Sequence, residues 1–226
     1  MKEAFSQKAP SKRTSQHSGK RFDRVLDAAE ELFALRGFDG VTMRQIAKLA
    51  QVDVALPNYH FGSKQGLFDA VFHRRAALFN AARSVELDKV AAKSGNSCLQ
   101  LEDIMAAFLM PIAESQLQSD PGWRNYCRLV AQVNSSPVWV QMMTEHYDAL
   151  IRKFVDLVSK ALPDTPRTDL FWGYHFLSGA LSLSMADTGR IQHLSEGLCR
   201  SNDYDTLYRH MIQFFADGFR GLNSHG

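Results

Sequence analysis

The chain has 226 residues, 45% of them hydrophobic, and a net charge of +2 at pH 7. That is enough apolar material for a packed core, in one large domain or two modest ones, and it excludes a mainly disordered protein. No apolar run approaches the roughly 18 residues of a membrane-spanning helix, and the opening stretch MKEAFSQKAPSKRTSQHSGKR lacks the apolar segment of a secretory signal, so the sequence reads as cytoplasmic with no membrane partner.

Residues 1–19 are rich in Ser, Lys, Gln and Thr and show no periodicity, which predicts a flexible basic arm. Charge is concentrated at this end: residues 1–75 carry +5 and residues 76–226 carry −3. A basic end neutralises phosphates or merely keeps a tail soluble, and charge alone leaves both readings open. From Phe22 the spacing becomes helical, with Val25, Leu26, Ala29, Leu32 and Phe33 on one face until Gly37. Asp39-Gly40 marks a turn. Thr42 caps a short second helix, Met43 to Leu49, and Gln51-Val52 breaks it. Asp53 caps a third that reaches His60, and Gly62-Ser63 breaks again. A fourth helix starts at Ser63 and places Leu67, Phe68, Val71, Phe72, Leu78 and Phe79 on one stripe.

The remainder is helical too. Leu101 to Ile112 forms a stripe, and Asp120-Pro121 and Ser136-Pro137 are helix starts, each a cap followed by proline. Tyr147 to Leu162 keeps helical spacing until Pro163; Thr165-Pro166 opens a segment to about Asp187; Tyr204 to Leu222 forms the last helix. No period-2 strand or hairpin signal is present. The fold expected is all-α with about nine helices: the arm over 1–19, a three-helix domain over 20–66, and a larger helical domain over 67–226.

Short second and third helices following a longer first one suggest a helix-turn-helix, in which the third helix fits a major groove while its partner sets the angle and touches phosphates. Lys64, beside the helix N-terminus at Ser63, adds a charge suited to a phosphate.

Thr42-Met-Arg-Gln-Ile-Ala-Lys-Leu-Ala50 resembles the second helix of the TetR family of bacterial repressors. Asn58-Tyr-His-Phe-Gly-Ser-Lys64, with Leu67-Phe68 after it, resembles that family's recognition-helix end. Ala28-Ala-Glu-Glu-Leu-Phe33 and Gly37-Phe38 also match, so the resemblance covers roughly residues 22–72. It implies phosphate contacts at Thr42, Tyr59, His60 and Lys64, base-edge readers at Val54, Ala55, Leu56 and Asn58, and either role for Arg44. It implies a homodimer on a palindromic operator in double-stranded DNA. Three positions depart from the family pattern. Gln51 stands where glycine is usual, in a turn that commonly needs positive φ. Pro57 lies within the third helix, which therefore starts late or kinks. Gly66 replaces the acidic residue that completes a capping box with Ser63.

Residues 76–226 hold the larger core. Leu170-Phe-Trp-Gly-Tyr-His-Phe-Leu-Ser-Gly-Ala-Leu-Ser-Leu-Ser-Met185 and Arg124-Asn-Tyr-Cys-Arg-Leu129 are loosely similar to a subgroup that includes fatty-acid-responsive regulators. This implies a small hydrophobic effector, a fatty acid or acyl thioester among the candidates, that releases a repressor from its operator. Phe108, Tyr126, Tyr147, Ile151, Trp172, His175 and Phe176 are candidate pocket residues. Ser178, Gly179 and Ser182, small enough for close helix approach, and Phe214, Phe215 and Phe219 of the last helix are candidates for the dimer interface. Ordinary core packing is the competing role for each.

An enzyme is not expected: no G-x-x-x-x-G-K-[ST], H-E-x-x-H or G-x-S-x-G occurs, and the eight histidines lack metal spacing, so neither cofactor nor metal is expected. Cys98, Cys127 and Cys199 read as buried free thiols. Two alternatives to a ligand-responsive regulator are an architectural DNA-binding protein without a ligand and a helical enzyme fused to a DNA reader.

Overall fold

The computed structural model describes residues 12–93 and 99–222. All regular structure among them is helical: α1 (Lys12–Arg36), α2 (Met43–Ala50), α3 (Ala55–Phe61), α4 (Lys64–Lys93), α5 (Leu101–Leu117), α6 (Pro121–Asn134), α7 (Val140–Ala161), α8 (Arg167–Ala186), α9 (Arg190–Leu194) and α10 (Tyr204–Leu222), with a 3₁₀ turn at Pro137–Trp139 ahead of α7. The helix that the sequence does not disclose is α9, five residues long, too short to show a periodic stripe. Helix α1 begins at Lys12, so residues 12–19 of the expected arm are helical, and residues 1–11 lie outside the described residues. The apolar stripe reports only the buried part of a helix; Lys, Arg and Gln ahead of it are good helix formers, and no proline lies between Lys12 and Arg36 to stop them.

The chain divides into two compact units, Met1–Val71 and Phe72–Gly226. The division falls later than residue 66 because Phe68 belongs to the first core: its ring meets Phe33 at 5.1 Å and Phe38 at 5.3 Å, both edge-on. Ile46 and Ala47 of α2, Val25, Ala29 and Phe33 of α1, and Leu67 of α4 are buried with it. Burying each large side chain of this set contributes about 1.5–3 kcal/mol.

In the second unit α5 packs along α10 and α6 along α8, with α7 touching α5, α6 and α8. Phe108 and Phe154 meet at 4.3 Å between ring centres, and Phe154 meets Phe219 at 6.2 Å. Gly173 admits Phe219, since a Cβ there would lie 2.6 Å from the Phe219 Cε1. Helix limits follow the local signals. Asp120 Oδ1 accepts from the Gly122 N–H at 2.9 Å and Pro121 fills the first position of α6, where its missing N–H costs nothing. The Arg75 Nη2 donates to the other Asp120 oxygen at 2.9 Å. Leu78, expected on the buried stripe of α4, is exposed; it stands one residue from Phe79, about 100° around the helix. Cys127 is buried, and burial pushes its thiol up to about 12. Cys199 is exposed, against expectation, in the polar stretch after α9, and Cys98 lies outside the described residues.

Candidate nucleic-acid interface

The second helix is closed at both ends by its own residues. Thr42 Oγ1 accepts from the Gln45 N–H at 3.3 Å, while Gln45 Oε1 accepts from the Thr42 N–H at 2.8 Å and from the Thr42 hydroxyl at 3.0 Å. This reciprocal box occupies the hydroxyl that the resemblance assigns to a phosphate. At the other end Gln51 takes φ 55° and ψ 48°, the left-handed conformation expected of this turn, and the Val52 N–H closes it by donating to the Ala47 carbonyl at 3.0 Å.

Asp53 then starts the turn into α3: its Oδ1 accepts from the Ala55 N–H at 2.8 Å and its carbonyl from the Leu56 N–H at 3.0 Å. Pro57 is the third residue of α3, inside the first turn, where no N–H has an intrahelical partner, so the proline costs no hydrogen bond. Gly62 ends α3 at φ 71°. Ser63 Oγ accepts from the Gly66 N–H at 3.0 Å and caps α4. Gly66 has a steric reason: a Cβ at that position would lie 2.3 Å from the Phe61 carbonyl oxygen, so the acidic residue of a full capping box cannot fit.

On this frame Arg44, Val54, Ala55, Asn58, Tyr59 and His60 are exposed, and Tyr59 stands 84% exposed. Asn58 Nδ2 donates to the Val54 carbonyl at 2.9 Å, which sets the amide plane on the outer side of α3. His60 is steadied by the edge of Phe22 at 5.7 Å and of Tyr59 at 5.2 Å, while Phe61, half-buried, stacks on Phe22 at 5.0 Å. Leu56 is half-buried, and so is Lys64. The Lys64 ammonium points inward, donating to the carbonyls of Phe38 at 3.0 Å and Val41 at 3.1 Å, and lies 4.2 Å from the Phe38 ring centre. This lysine is a clamp on the α1–α2 turn. The sequence shows its charge but not the two carbonyls that bind it. Two residues not singled out from the sequence, Arg21 and Arg24 of α1, line a shallow groove with Gln51, Val52, Asp53 and Leu56 at the first turn of α3. They belong to the basic stretch already noted.

The second unit contains a cavity of about 30 Å³. Of the expected pocket residues Phe108 and Tyr147 line it. Tyr126 lies behind, its hydroxyl 2.7 Å from that of Tyr147; burial raises the pKa of both phenols. Ile151 is half-buried elsewhere on α7. Trp172, His175 and Phe176 do not reach the cavity: they are exposed, on the side of α8 away from buried Leu170, Gly173 and Leu177. The small residues divide the other way. Ser178 and Ser182 face α6, where Asn134 Nδ2 donates to their hydroxyls at 2.9 and 2.8 Å, and both line the cavity. Gly179 is open, with nothing within 4 Å of a Cβ. Phe214 is exposed, Phe215 half-buried, and Phe219 buried against Gly173. Among the lining residues that sequence reasoning passed over is Arg83, on the otherwise apolar stripe of α4.

A short exposed helix on a capped partner, in a small N-terminal unit followed by a larger helical one, defines a two-unit helix-turn-helix protein. The family model for bacterial regulatory proteins of the tetR family matches residues 25–71, and that for the tetracyclin repressor-like C-terminal domain matches residues 106–218. The chain belongs to the tetR family of bacterial regulatory proteins. It is 36% identical over 70 residues to the HTH-type transcriptional repressor NicS of Pseudomonas putida, covering 31% of this chain and 33% of that repressor. The aligned stretch thus spans about a third of that relative. Among solved structures, a TetR-like transcriptional regulator from Rhodococcus sp. RHA1 aligns with a TM-score of 0.56 at 19% identity, over 89% of this chain and 96% of that one. The hemolysin II transcriptional regulator HlyIIR aligns at 0.57 and 15% identity, over 85% and 97%. At these identities the two structures establish a shared fold.

Proposed function

We propose that the protein is a DNA-binding transcriptional repressor that acts as a homodimer and leaves its operator when a small, mainly apolar effector binds the second unit. The observation that carries this reading is the outer face of α3 with Arg44: Asn58, Tyr59 and His60 are exposed on a helix whose two ends are fixed by Asp53 and Gly62. In this reading α3 enters the major groove, Asn58, Val54, Ala55 and Leu56 face base edges, and Arg44, Tyr59 and His60 hold the phosphates. Thr42 and Lys64 act from behind, as cap and clamp.

One α3 per chain is too small to select a site alone. The second unit offers a surface for pairing: Trp172, Phe176 and Leu183 share one face of α8 with Gly179 and are 60%, 60% and 64% exposed, and Phe214 on α10 is 72% exposed. Such a stripe, with Gly179 and Gly218 placed where an added Cβ would meet nothing within 4 Å, suits close packing against a second copy of the same helices. Two recognition helices then read half-sites about 34–36 Å apart, or a multiple of that spacing. An effector releases the dimer only by preferring the unbound state, and operator DNA must weaken effector binding by the same factor.

The test is selection of bound duplexes from a random pool by the full-length protein. The expected result is enrichment of an inverted repeat, with Asn58→Ala enriching a different or relaxed half-site. A pool that stays random, or an Asn58→Ala variant that recovers the parent sequence, refutes the reading.

A further inference from the structure

We propose that the cavity of the second unit binds a compact monocarboxylate with an apolar body, its carboxylate held by the Arg83 guanidinium. This rests on the effector reading above and narrows it to a chemical class.

Arg83 stands where the helix pattern calls for an apolar residue. Phe72, Ala76, Phe79, Leu87 and Val90 share its stripe on α4 and all are buried; Arg83 itself is 4% exposed. Arginine is almost never this buried unless something pairs with it. What Arg83 has is little: Nε donates to the Phe108 carbonyl at 3.0 Å, and the guanidinium carbon lies 3.8 Å from the Phe108 ring centre and 5.7 Å from that of Phe79. Among the described residues no carboxylate pairs with it, and its two terminal amino groups, which keep a little accessible surface, have no hydrogen-bond partner in the protein. The titratable groups facing it are four tyrosines, the buried Tyr147, Tyr208 and Tyr126 and the half-buried Tyr174, each with its pKa raised by desolvation and so neutral. Desolvation lowers the pKa of the guanidinium, yet arginine does not lose its proton in proteins. A ring contact recovers less than a desolvated charge gives up. The molecule therefore holds a buried positive charge lacking a counter-ion, at the edge of a cavity.

The surroundings select the ligand. Arg83 is the one charged side chain lining the cavity, so the site balances a single negative charge and disfavours a dianionic phosphate ester. With Nε engaged, the two amino groups remain as an end-on fork, which matches the two oxygens of a carboxylate. The cavity of about 30 Å³ exceeds the roughly 10–15 Å³ that one water needs; it admits a headgroup as it stands. The body of the ligand needs yielding walls, and Met143 and Met185, unbranched and polarisable, provide them beside Val130 and Leu181.

The experiment is titration calorimetry on the full-length protein without DNA, using hexanoate, octanoate and benzoate, each against its primary amide. At least one acid is expected to bind about tenfold or more tightly than its amide, the strength of a hydrogen bond to a charged group. Arg83→Met removes that preference while leaving amide affinity within about twofold, because the apolar stem still packs and only the charge is lost. Its melting temperature stays level or rises, since an unpaired buried charge has gone. Acids that bind no better than their amides overturn the proposal, and the wild-type protein decides this even where a variant is unstable. A fall in melting temperature for Arg83→Met with the acid preference intact also overturns it, by making Arg83 a structural residue. Neither result bears on the duplex selection, where failure of the DNA-binding reading would show separately.

Discussion

Replacing Lys64 by methionine separates two roles that one positive charge can play at a helix-turn-helix. The methionine side chain fills much the same space, so the Lys64→Met variant loses the ammonium alone. That ammonium makes two hydrogen bonds to backbone carbonyls, at 3.0 and 3.1 Å, and lies 4.2 Å from the Phe38 ring centre. A hydrogen bond from a charged donor contributes about 1.5–3 kcal/mol and a partly exposed cation–ring contact about 0.5–1 kcal/mol. The side chain is half-buried and water replaces part of what is lost, so the sum is taken at about 2–3 kcal/mol. At 1.4 kcal/mol per factor of ten, amide exchange across residues 37–50 should accelerate by roughly 30- to 150-fold. The three tryptophans, Trp123, Trp139 and Trp172, all lie in the second unit, so their fluorescence should not report the change; exchange read by mass spectrometry on peptides from the first unit should. DNA affinity should fall equally on operator and random duplex, with the slope of log affinity against log salt unchanged. A phosphate contact predicts the reverse: normal exchange and a slope reduced by about 0.9. That second pattern refutes the clamp.

Three other perturbations follow from the same geometry. Gly66→Ala puts a Cβ 2.3 Å from the Phe61 carbonyl oxygen and should cost about 1–3 kcal/mol of stability, as overpacking does, measured by urea unfolding followed by circular dichroism. Asp120 has its pKa lowered: burial opposes ionisation, but the Gly122 N–H and Arg75 outweigh it; the stability it contributes is present above the ordinary carboxylate pKa and is lost as pH falls through the lowered one, so Asp120→Asn should unfold with a shallower acid dependence below about pH 4. Phe176→Glu, on the exposed face of α8, should leave the protein folded but raise the dimer dissociation constant at least tenfold in sedimentation equilibrium, the loss of one buried aromatic anchor.

Local signals carry most of the fold. Thr42, Asp120-Pro121, Pro163 and Gly62 mark helix ends through chemistry that acts within a few residues, and the helices end there. Gln51 takes the left-handed conformation that its turn calls for, and Pro57 proves harmless because it falls in the first turn. The roles of side chains on α8 are less legible. Phe171, Trp172, Phe176, Leu177 and Leu181 are apolar on nearly every side of that helix, so periodicity cannot separate the face toward α6 from the face toward solvent. Trp172 and Phe176 are expected inside and stand outside, while Ser178 and Ser182 are expected outside and bond to Asn134. Arg83 is legible in principle: a cation spaced with Phe72, Ala76, Phe79, Leu87 and Val90 breaks an apolar stripe, and an interruption of that kind needs a partner.

Three basic residues of α4 show how little residue type says about role. Lys64 gives two of its three N–H groups to the Phe38 and Val41 carbonyls. Arg75 has the Asp120 carboxylate at 2.9 Å. Both have their charge answered within their own unit, so neither requires a ligand to be stable. Arg83 gives one N–H to a carbonyl and meets only neutral phenols and rings beyond it. A folded chain keeps a group in that condition at a cost, and a partner that removes the cost gains affinity by doing so. On this ground, where polar atoms lack partners is a better guide to a ligand site than where aromatic residues gather. The aromatic residues expected to form the pocket are divided between core and surface, and the cation that the stripe should have excluded is the one facing the cavity.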